Sequence, residues 1–373
     1  MGPLMPKVAV FSTNFLDYSQ TFVYEEITHH RRYQVEVFCR ARRLSERFPF
    51  SPVHVGGPLY GLTRESPGFH RVFRRTGFDL VHGHFGTGSL YAVPYAARYR
   101  LPLVVTFHGY DVPLLRSAAR LVYPVHWPYA LFARGMLARL TMGLCASREL
   151  YELLAEVGVP RERLRIHHLG INLGAFRRGP RRALPRVVMV GRFVEKKGFE
   201  YGIRAFADVI RRGARAELVI AGGGERQAQL EALVREQGVS DYTRFAGVLP
   251  SKEIASLLSE SDVLMAPSVV DRDGDRESGV IAIKEASACE LAVIGTYHGG
   301  IPEIIDDGQT GFLVPERDVE SLSSRLYRVL SDRALCERMG VAGRAKMERE
   351  YDLKDVVEEL EERYDEALKL GPR

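Results

Sequence analysis

The sequence predicts an α/β protein built from two doubly wound, parallel-sheet domains. Three observations carry that prediction. Apolar runs rich in β-branched residues recur along the chain, amphipathic helical segments lie between them, and one Gly-, Pro- and Arg-rich stretch falls near the middle of the 373 residues. Strands buried on both faces read as unbroken apolar runs, and such strands interleaved with helices make parallel sheets covered on both sides. The strand candidates of the first half are 7–13, 34–40, 79–84, 102–108 and 143–147. After the stretch 170–186 they resume as 186–192, 216–222, 242–247, 262–267, 291–296 and 311–315. Between them, segments such as GFEYGIRAFADVIRRG and ERQAQLEALVREQG have the apolar spacing of helices with one buried face. The expected domains are residues 1–170 and 171–350, with 351–373 as a closing helix packed back on the first.

Composition narrows the class. Hydrophobic content of 46% and charged content of 27% are globular values. No apolar run reaches the length of a membrane-spanning helix. The start, MGPLMPKVAVFSTNF, runs directly into a strand and lacks the apolar core and small-residue cleavage site of a leader. Cys39, Cys145, Cys289 and Cys336 are scattered and form no CxxC, so free thiols in a reducing compartment are expected. The expected location is the cytoplasm, with the inner face of the cell membrane as a second possibility. Charge is unevenly placed. Residues 1–180 hold 23 Lys/Arg against 12 Asp/Glu, a net +11, and the remainder holds 29 against 35, a net −6. A basic half points to an anionic partner, either a membrane surface or an acidic substrate, although solvated surface explains any single cluster equally well. The clusters Arg40, Arg42, Arg43 and Arg71, Arg74, Arg75 carry no nucleic-acid recognition motif, and no nucleic-acid partner is expected.

Ligands of doubly wound sheets bind beyond the carboxyl ends of the strands. The chemistry-bearing motifs of this chain fall there. GRFVEKKG follows strand 186–192 and opens a helix near Phe199. Arg192 and Lys197 share this short loop, and a forked guanidinium beside a point-charge ammonium makes a diphosphate clamp, helped by the free N–H groups of a helix start. A plain basic surface turn is the alternative. Lys196 is expected to be dispensable. AGGGE (221–225) lets backbone approach a ligand at Gly223, and Val248 follows the next strand end; both join the donor set. Neither AGGGE nor GHFGTG (83–88) has the glycine spacing of a dinucleotide site, so NAD is not expected.

DRESGVIAIKEAS (275–287) places Glu277 and Glu285 eight positions apart. Ser278 and Gly279 precede a helix expected from Val280 to about Cys289, whose first-turn amides at Gly279, Val280 and Ile281 suit a phosphate. Glu285 lies roughly 9 Å along that helix and leans back toward its start, within reach of ribose hydroxyls. Glu277 then falls on the far side of the phosphates, beside whatever they carry.

These residues carry a resemblance. Gly191-Arg192…Lys197-Gly198 followed by Glu277-x7-Glu285 resembles the donor site of retaining glycosyltransferases of family 4, which have the GT-B fold: two Rossmann-like domains facing a central cleft. GDRESGVIAIKEASA, HGGIPEIIDDGQTGFLVPERD and TFHGYD are similar to the bacterial exopolysaccharide and colanic-acid-type members. The resemblance implies that Arg192 and Lys197 bind the donor diphosphate, Glu285 binds ribose, and Glu277 and His108 meet the transferred sugar as catalytic groups. It also implies a metal-independent site with no cofactor, the nucleotide sugar being the donor substrate. Two departures stand out. Many relatives have E-G-[FLI]-[PG] where this chain has Glu277-Ser278-Gly279-Val280, and many have a glycine-rich loop where it has NFLDYSQTF. Tyr18, Ser19 and Gln20 are therefore assigned to the acceptor pocket, with Asp111 of the HGYD segment.

Other readings compete. Asp-x-Asp in DRDGD (271–275) is a pattern that holds divalent metal elsewhere, but the Arg/Lys clamp already supplies cationic charge. A sugar-nucleotide epimerase of the same architecture would need no acceptor, and a basic membrane-docked anion-binding module would need neither Glu277 nor Arg192. Residues 116–137, RSAARLVYPVHWPYALFARGML, join Arg116, Arg120 and Arg134 with Trp127 and two tyrosines. Pro124 and Pro128 oppose one continuous helix, and Trp127 packed into the core is one reading. The basic half favours the other: peripheral contact with anionic lipid that presents a lipid-linked or saccharide acceptor.

Overall fold

The computed structural model describes residues 5–16, 20–115, 127–180 and 182–373. It divides into two compact units, Met1–Gly170 with Leu353–Arg373, and Ile171–Asp352. The first unit holds β1 (Lys7–Phe15), β2 (Gln34–Arg42), β3 (Val53–Val55), β4 (Leu80–His84), β5 (Leu103–Phe107), β6 (Met142–Cys145) and β7 (Leu164–Ile166). They form one sheet in the order β3-β2-β1-β4-β5-β6-β7, and every pairing is parallel. The second unit holds β8 (Arg186–Val190), β9 (Glu217–Ala221), β10 (Thr243–Gly247), β11 (Val263–Ala266), β12 (Ala292–Thr296) and β13 (Gly311–Val314). Their order is β10-β9-β8-β11-β12-β13, again wholly parallel.

Each strand expected from the apolar pattern is present. The short edge strand β7 and the short β3 were not expected, because three residues at a sheet edge leave no periodic signal. The reason the others are legible is burial: β5 and β12 are buried at every residue and are apolar but for one threonine each. Strand order reverses beside β1 and β4 in one sheet and beside β8 and β11 in the other, which opens a crevice at the carboxyl ends of each.

In the second unit, helix Phe199–Arg211 covers one face of the sheet through Ile203, Phe206 and Val209, spaced as one helical stripe. Helix Ile281–Ala288 covers the other through Ile283 and Ala286. In the first unit, the closing helix Leu353–Leu370 buries Leu360, Tyr364 and Ala367 against Val8, Val10, Val104 and Leu144. Full burial of a large apolar side chain contributes about 1.5–3 kcal/mol, so this helix is an integral part of that core. Glu361 fastens it further by accepting the backbone N–H groups of Arg31 and Arg32 at 2.7 and 2.8 Å. All four cysteines are buried and free. Among the described residues, no helix is long and apolar enough to cross a membrane.

Candidate functional site

The second unit gathers its polar side chains at the carboxyl ends of β8 and β11. The chain leaves β8 at Gly191 and makes a single tight turn, Glu195–Lys197, before helix Phe199–Arg211 begins. Gly198 has φ 60°, and a Cβ there would sit 2.0 Å from the Pro267 carbonyl oxygen, so only glycine lets this loop close on the end of β11. The Lys197 stem lies against Gly191, and its Nζ is 2.8 Å from Glu277 Oε2. Arg192 is exposed beside it. Lys196, whose loss is expected to cost far less activity than that of Lys197, is buried. Its Nζ lies 3.0 Å from Asp275 Oδ2 and 3.5 Å from Glu277 Oε1, and it donates to the Arg276 carbonyl.

Two lysines therefore bracket one glutamate. Burial alone would raise the Glu277 pKa, but the Lys197 and then the Lys196 ammonium groups outweigh it and hold the carboxyl down at about 2. Paired with these lysines, Glu277 is held as a carboxylate. Burial disfavours charge on Lys196, yet Glu277 and Asp275 together raise its pKa above the ordinary value.

The backbone of Glu277 is held as firmly as its side chain. Its N–H donates to His298 Nε2 at 2.9 Å, which places the imidazole proton on Nδ1, 2.7 Å from Glu316 Oε1. Glu316 Oε2 in turn accepts from the Val270 N–H at 3.0 Å. Reading the sequence did not single out His298 or Glu316. Their signal was the segment HGGIPEIIDDGQTGFLVPERD, whose first and last parts follow β12 and β13.

Ser278, Gly279 and Val280 are buried, and helix Ile281–Ala288 starts immediately after with no side chain capping it. Glu285 lies on the second turn of that helix, partly open at the surface. Among the described residues its carboxylate has no hydrogen bond or ion pair, and burial pushes its pKa up to about 7. The end of β9 closes on the same loop. A Cβ at Gly222, where φ is 145°, would meet the Gly191 carbonyl oxygen at 1.8 Å, and the Gly223 carbonyl accepts the Phe193 N–H at 2.9 Å. Exposed Val248 lies beside Gly223. The glycine triplet thus serves loop-on-loop packing before any ligand. In DRDGD, Asp271 Oδ1 accepts the N–H groups of Asp273 and Asp275 at 2.9 and 2.8 Å, and Asp275 pairs with Lys196. Loop closure is a sufficient physical reason for that Asp-x-Asp pattern.

The first unit holds the remaining candidates. His108 follows β5, packed against Phe22 and Phe85 with ring centroids 4.9 and 4.4 Å away, and its Nε2 is 3.1 Å from His84 Nδ1. Burial, then the neighbouring His84, holds its pKa well below the ordinary value. Asp111 differs from the acceptor contact expected of it. It is wholly buried, with Oδ2 accepting from Gly86 N at 2.7 Å and Oδ1 from Gly109 N at 3.0 Å, so its carboxylate ties two loops together. Burial, opposed by these amides, raises its pKa to about 6. Gln20 opens helix Thr21–Thr28 without capping it by its side chain, while Tyr18 and Ser19 lie outside the described residues. Arg116, Arg120 and Pro124 lie outside them too. Trp127 does not pack into the core. It begins helix Trp127–Arg139 and is 52% exposed, with Leu131 and Phe132 exposed at 74% and 43% on the same stretch.

Comparisons with known proteins bear on the family and the fold. A family model described as glycosyl transferases group 1 matches residues 176–346, and one described as glycosyltransferase family 4 matches residues 21–175. The chain is 30% identical over 286 residues to the putative colanic acid biosynthesis glycosyltransferase WcaL of Escherichia coli K12, covering 75% of this chain and 68% of that one. It is 32% identical over 254 residues to the amylovoran biosynthesis glycosyltransferase AmsK of Erwinia amylovora, covering 67% of this chain and 60% of that one. Among solved structures, HepE of Anabaena in complex with UDP and glucose superposes with a TM-score of 0.79 at 16% identity, over 97% of this chain and all of that one. WaaG, a glycosyltransferase of lipopolysaccharide biosynthesis, gives 0.69 at 16% identity, over 95% and 98%.

Proposed function

The chain belongs to the family 4 glycosyltransferases and has the GT-B fold, and from that premise we propose that it is a retaining, nucleotide-sugar-dependent enzyme. It moves a hexose to a saccharide or lipid-linked acceptor in surface or exopolysaccharide synthesis, at the inner face of the cell membrane, and needs no metal. One observation carries the reading: Lys197, Glu277 and an uncapped helix start meet at the end of the second sheet, one turn from the unpaired Glu285 carboxylate.

The chemistry follows from charge. The bond from the anomeric carbon to the diphosphate oxygen breaks, and the acceptor oxygen bonds that carbon on the same face. The acceptor proton leaves with the diphosphate. Negative charge grows on the departing oxygen, and Arg192, Lys197 and the amides of 279–281 are assigned to stabilise it. Stabilisation of developing charge by fixed donors is usually what lowers such a barrier most. Lys197 then exchanges Glu277 for phosphate, which frees the Glu277 carboxylate for the sugar. Glu285 accepts from ribose, and His108 is assigned to the donor sugar. Gly223, Ser278 and Val248 line the donor, while Tyr18, Ser19 and Gln20 are assigned to the acceptor.

The exposed face of Trp127, Leu131 and Phe132, with Arg134 on the same helix, supports peripheral contact with anionic lipid. Thermal unfolding with UDP, GDP, ADP and their sugars tests the donor assignment, since a ligand of the native state raises its stability by about 2.7 kcal/mol at a hundred times Kd. A stabilising nucleotide whose effect survives loss of Arg192 and Glu285 together would favour simple anion binding. Isomerised donor in the absence of acceptor would favour an epimerase.

A further inference from the structure

Beside His108 lies a group of buried polar side chains that the transfer chemistry above does not use. In β4, LVHGH places His82 and His84 two residues apart, hence on one face of the strand. Helix Thr21–Thr28 lays Glu26 over them. His82 is fully engaged, with Nδ1 at 2.6 Å from the Tyr364 hydroxyl and Nε2 at 2.7 Å from the Thr106 hydroxyl. His84 is different. Its Nδ1 meets His108 Nε2 at 3.1 Å, and its Nε2 stands 3.3 Å from Glu26 Oε1. Among the described residues, His84 Nε2, Glu26 Oε1 and His108 Nδ1 each lack a hydrogen bond, so Glu26 and His84 meet as a close charge contact.

We propose that Glu26 and His84 are positioning residues that fix the tautomer of His108, leaving a lone pair on its Nδ1 to accept a hydrogen bond from a donor-sugar hydroxyl. Only the identity of that hydroxyl rests on the function proposed above; the tautomer does not. The reasoning is proton bookkeeping along a chain. A neutral imidazole has one N–H and one lone pair, and an ionised carboxylate only accepts. With Glu26 ionised, His84 Nε2, which faces its Oε1 at 3.3 Å, is the nitrogen that turns its proton toward the carboxylate. His84 must then carry its proton on Nε2 and a lone pair on Nδ1. His108 must answer with a proton on Nε2, which leaves Nδ1 as the acceptor. A cationic His84 would reverse the second link and put the proton on His108 Nδ1, at the cost of burying a further charge among neutral rings.

Two-bond proton–nitrogen correlation spectra of the ¹⁵N-histidine-labelled full chain, assigned with His108→Ala, decide this. The expected result is a protonated Nε2 and an unprotonated Nδ1 on His108. In Glu26→Gln, nearly the same shape, the amide can donate to His84 Nε2, and the His108 proton moves toward Nδ1. The same variant should lower kcat for UDP release from UDP-glucose by roughly tenfold or more with KM little changed, as when a histidine loses its orienting carboxylate. A proton on His108 Nδ1 in the unaltered chain, or spectra unmoved by Glu26→Gln, overturns the proposal. So does one equivalent of a divalent metal in the purified chain that His84→Ala releases, since Glu26, His82 and His84 lie close enough to share an ion. Absence of turnover with UDP-glucose counts against that donor, while the spectra still decide the tautomer.

Discussion

The two sheets end in opposite ways. In the first unit, the chain turns out of β4 into Gly86, and the Gly86 N–H is met at 2.7 Å by the protein's own Asp111 carboxylate. In the second unit, helix Ile281–Ala288 begins with no side-chain cap, and the nearby carboxylates of Glu277 and Asp275 are drawn away by Lys197 and Lys196. The first turn of a helix leaves N–H groups that need an acceptor. Where the chain supplies that acceptor, the end of the sheet is closed; where it does not, a phosphate is the natural partner. The difference teaches that one architecture leaves helix-start amides at the ends of both sheets, and the placement of a few carboxylates decides which end stays open.

The comparison can be broken most forcefully at Lys196. Lys196→Ala leaves Asp275 and Glu277 with less compensation in a buried setting, and loss of one partner from such a group typically costs about 3–5 kcal/mol. Denaturant unfolding should show that loss. If Lys196→Ala unfolds like the unaltered chain yet loses turnover, Lys196 belongs to the clamp and not to its support.

Lys197→Ala and Arg192→Ala should each lower kcat/KM by at least about a hundredfold, roughly 2.7 kcal/mol, but only Arg192→Ala should leave stability little changed, because Lys197 also compensates the buried Glu277. Asp111→Ala should do the reverse. It orphans two buried amides at about 1–3 kcal/mol of stability, which thermal unfolding will show, and leaves nucleotide affinity unaltered. A weakened affinity there would mean that the closed sheet end also meets the donor.

The two glutamates sharpen the open end. Calorimetry with free nucleoside diphosphate should show binding weakened by Glu285→Ala and spared by Glu277→Ala, and a transfer assay should show that Glu277→Ala abolishes sugar transfer. Glu285 also sets a pH dependence. Its pKa is raised from 4.5 to about 7 by burial, so the folded chain retains a proton that the unfolded chain has released between those values. Its contribution to stability therefore falls as pH rises across that window. With Glu285 on the ribose as proposed, nucleotide binding should strengthen as pH rises through about 7, and Glu285→Gln should flatten the profile. The smallest effect is at the surface. Sedimentation with anionic vesicles should be salt-sensitive and should weaken in Trp127→Ala, each interfacial basic residue being worth about 1 kcal/mol. Indifference to vesicles at low salt would point to a diffusible acceptor.

The sequence by itself determined the parallel sheets, because a strand covered on both faces is mostly apolar, and β5 and β12, buried along their whole length, carry one threonine each; β4 departs from this with two buried histidines that find side-chain partners. It also determined the positions of the Lys197 loop and of Glu277 and Glu285, since each follows a strand end and the eight-residue spacing is local. Tertiary structure decided the partners. Lys196 reads as one of two adjacent lysines until the loop after β11 brings Asp275 to it. His298 and Glu316 become the support of Glu277 only when the ends of β12 and β13 lie side by side. Asp111 turned inward because Gly86, on the neighbouring strand's loop, offered it an amide. Periodicity records how deeply an element is buried, whereas a charge finds its partner across loops from non-adjacent strands, and that pairing exists only once the sheet has assembled.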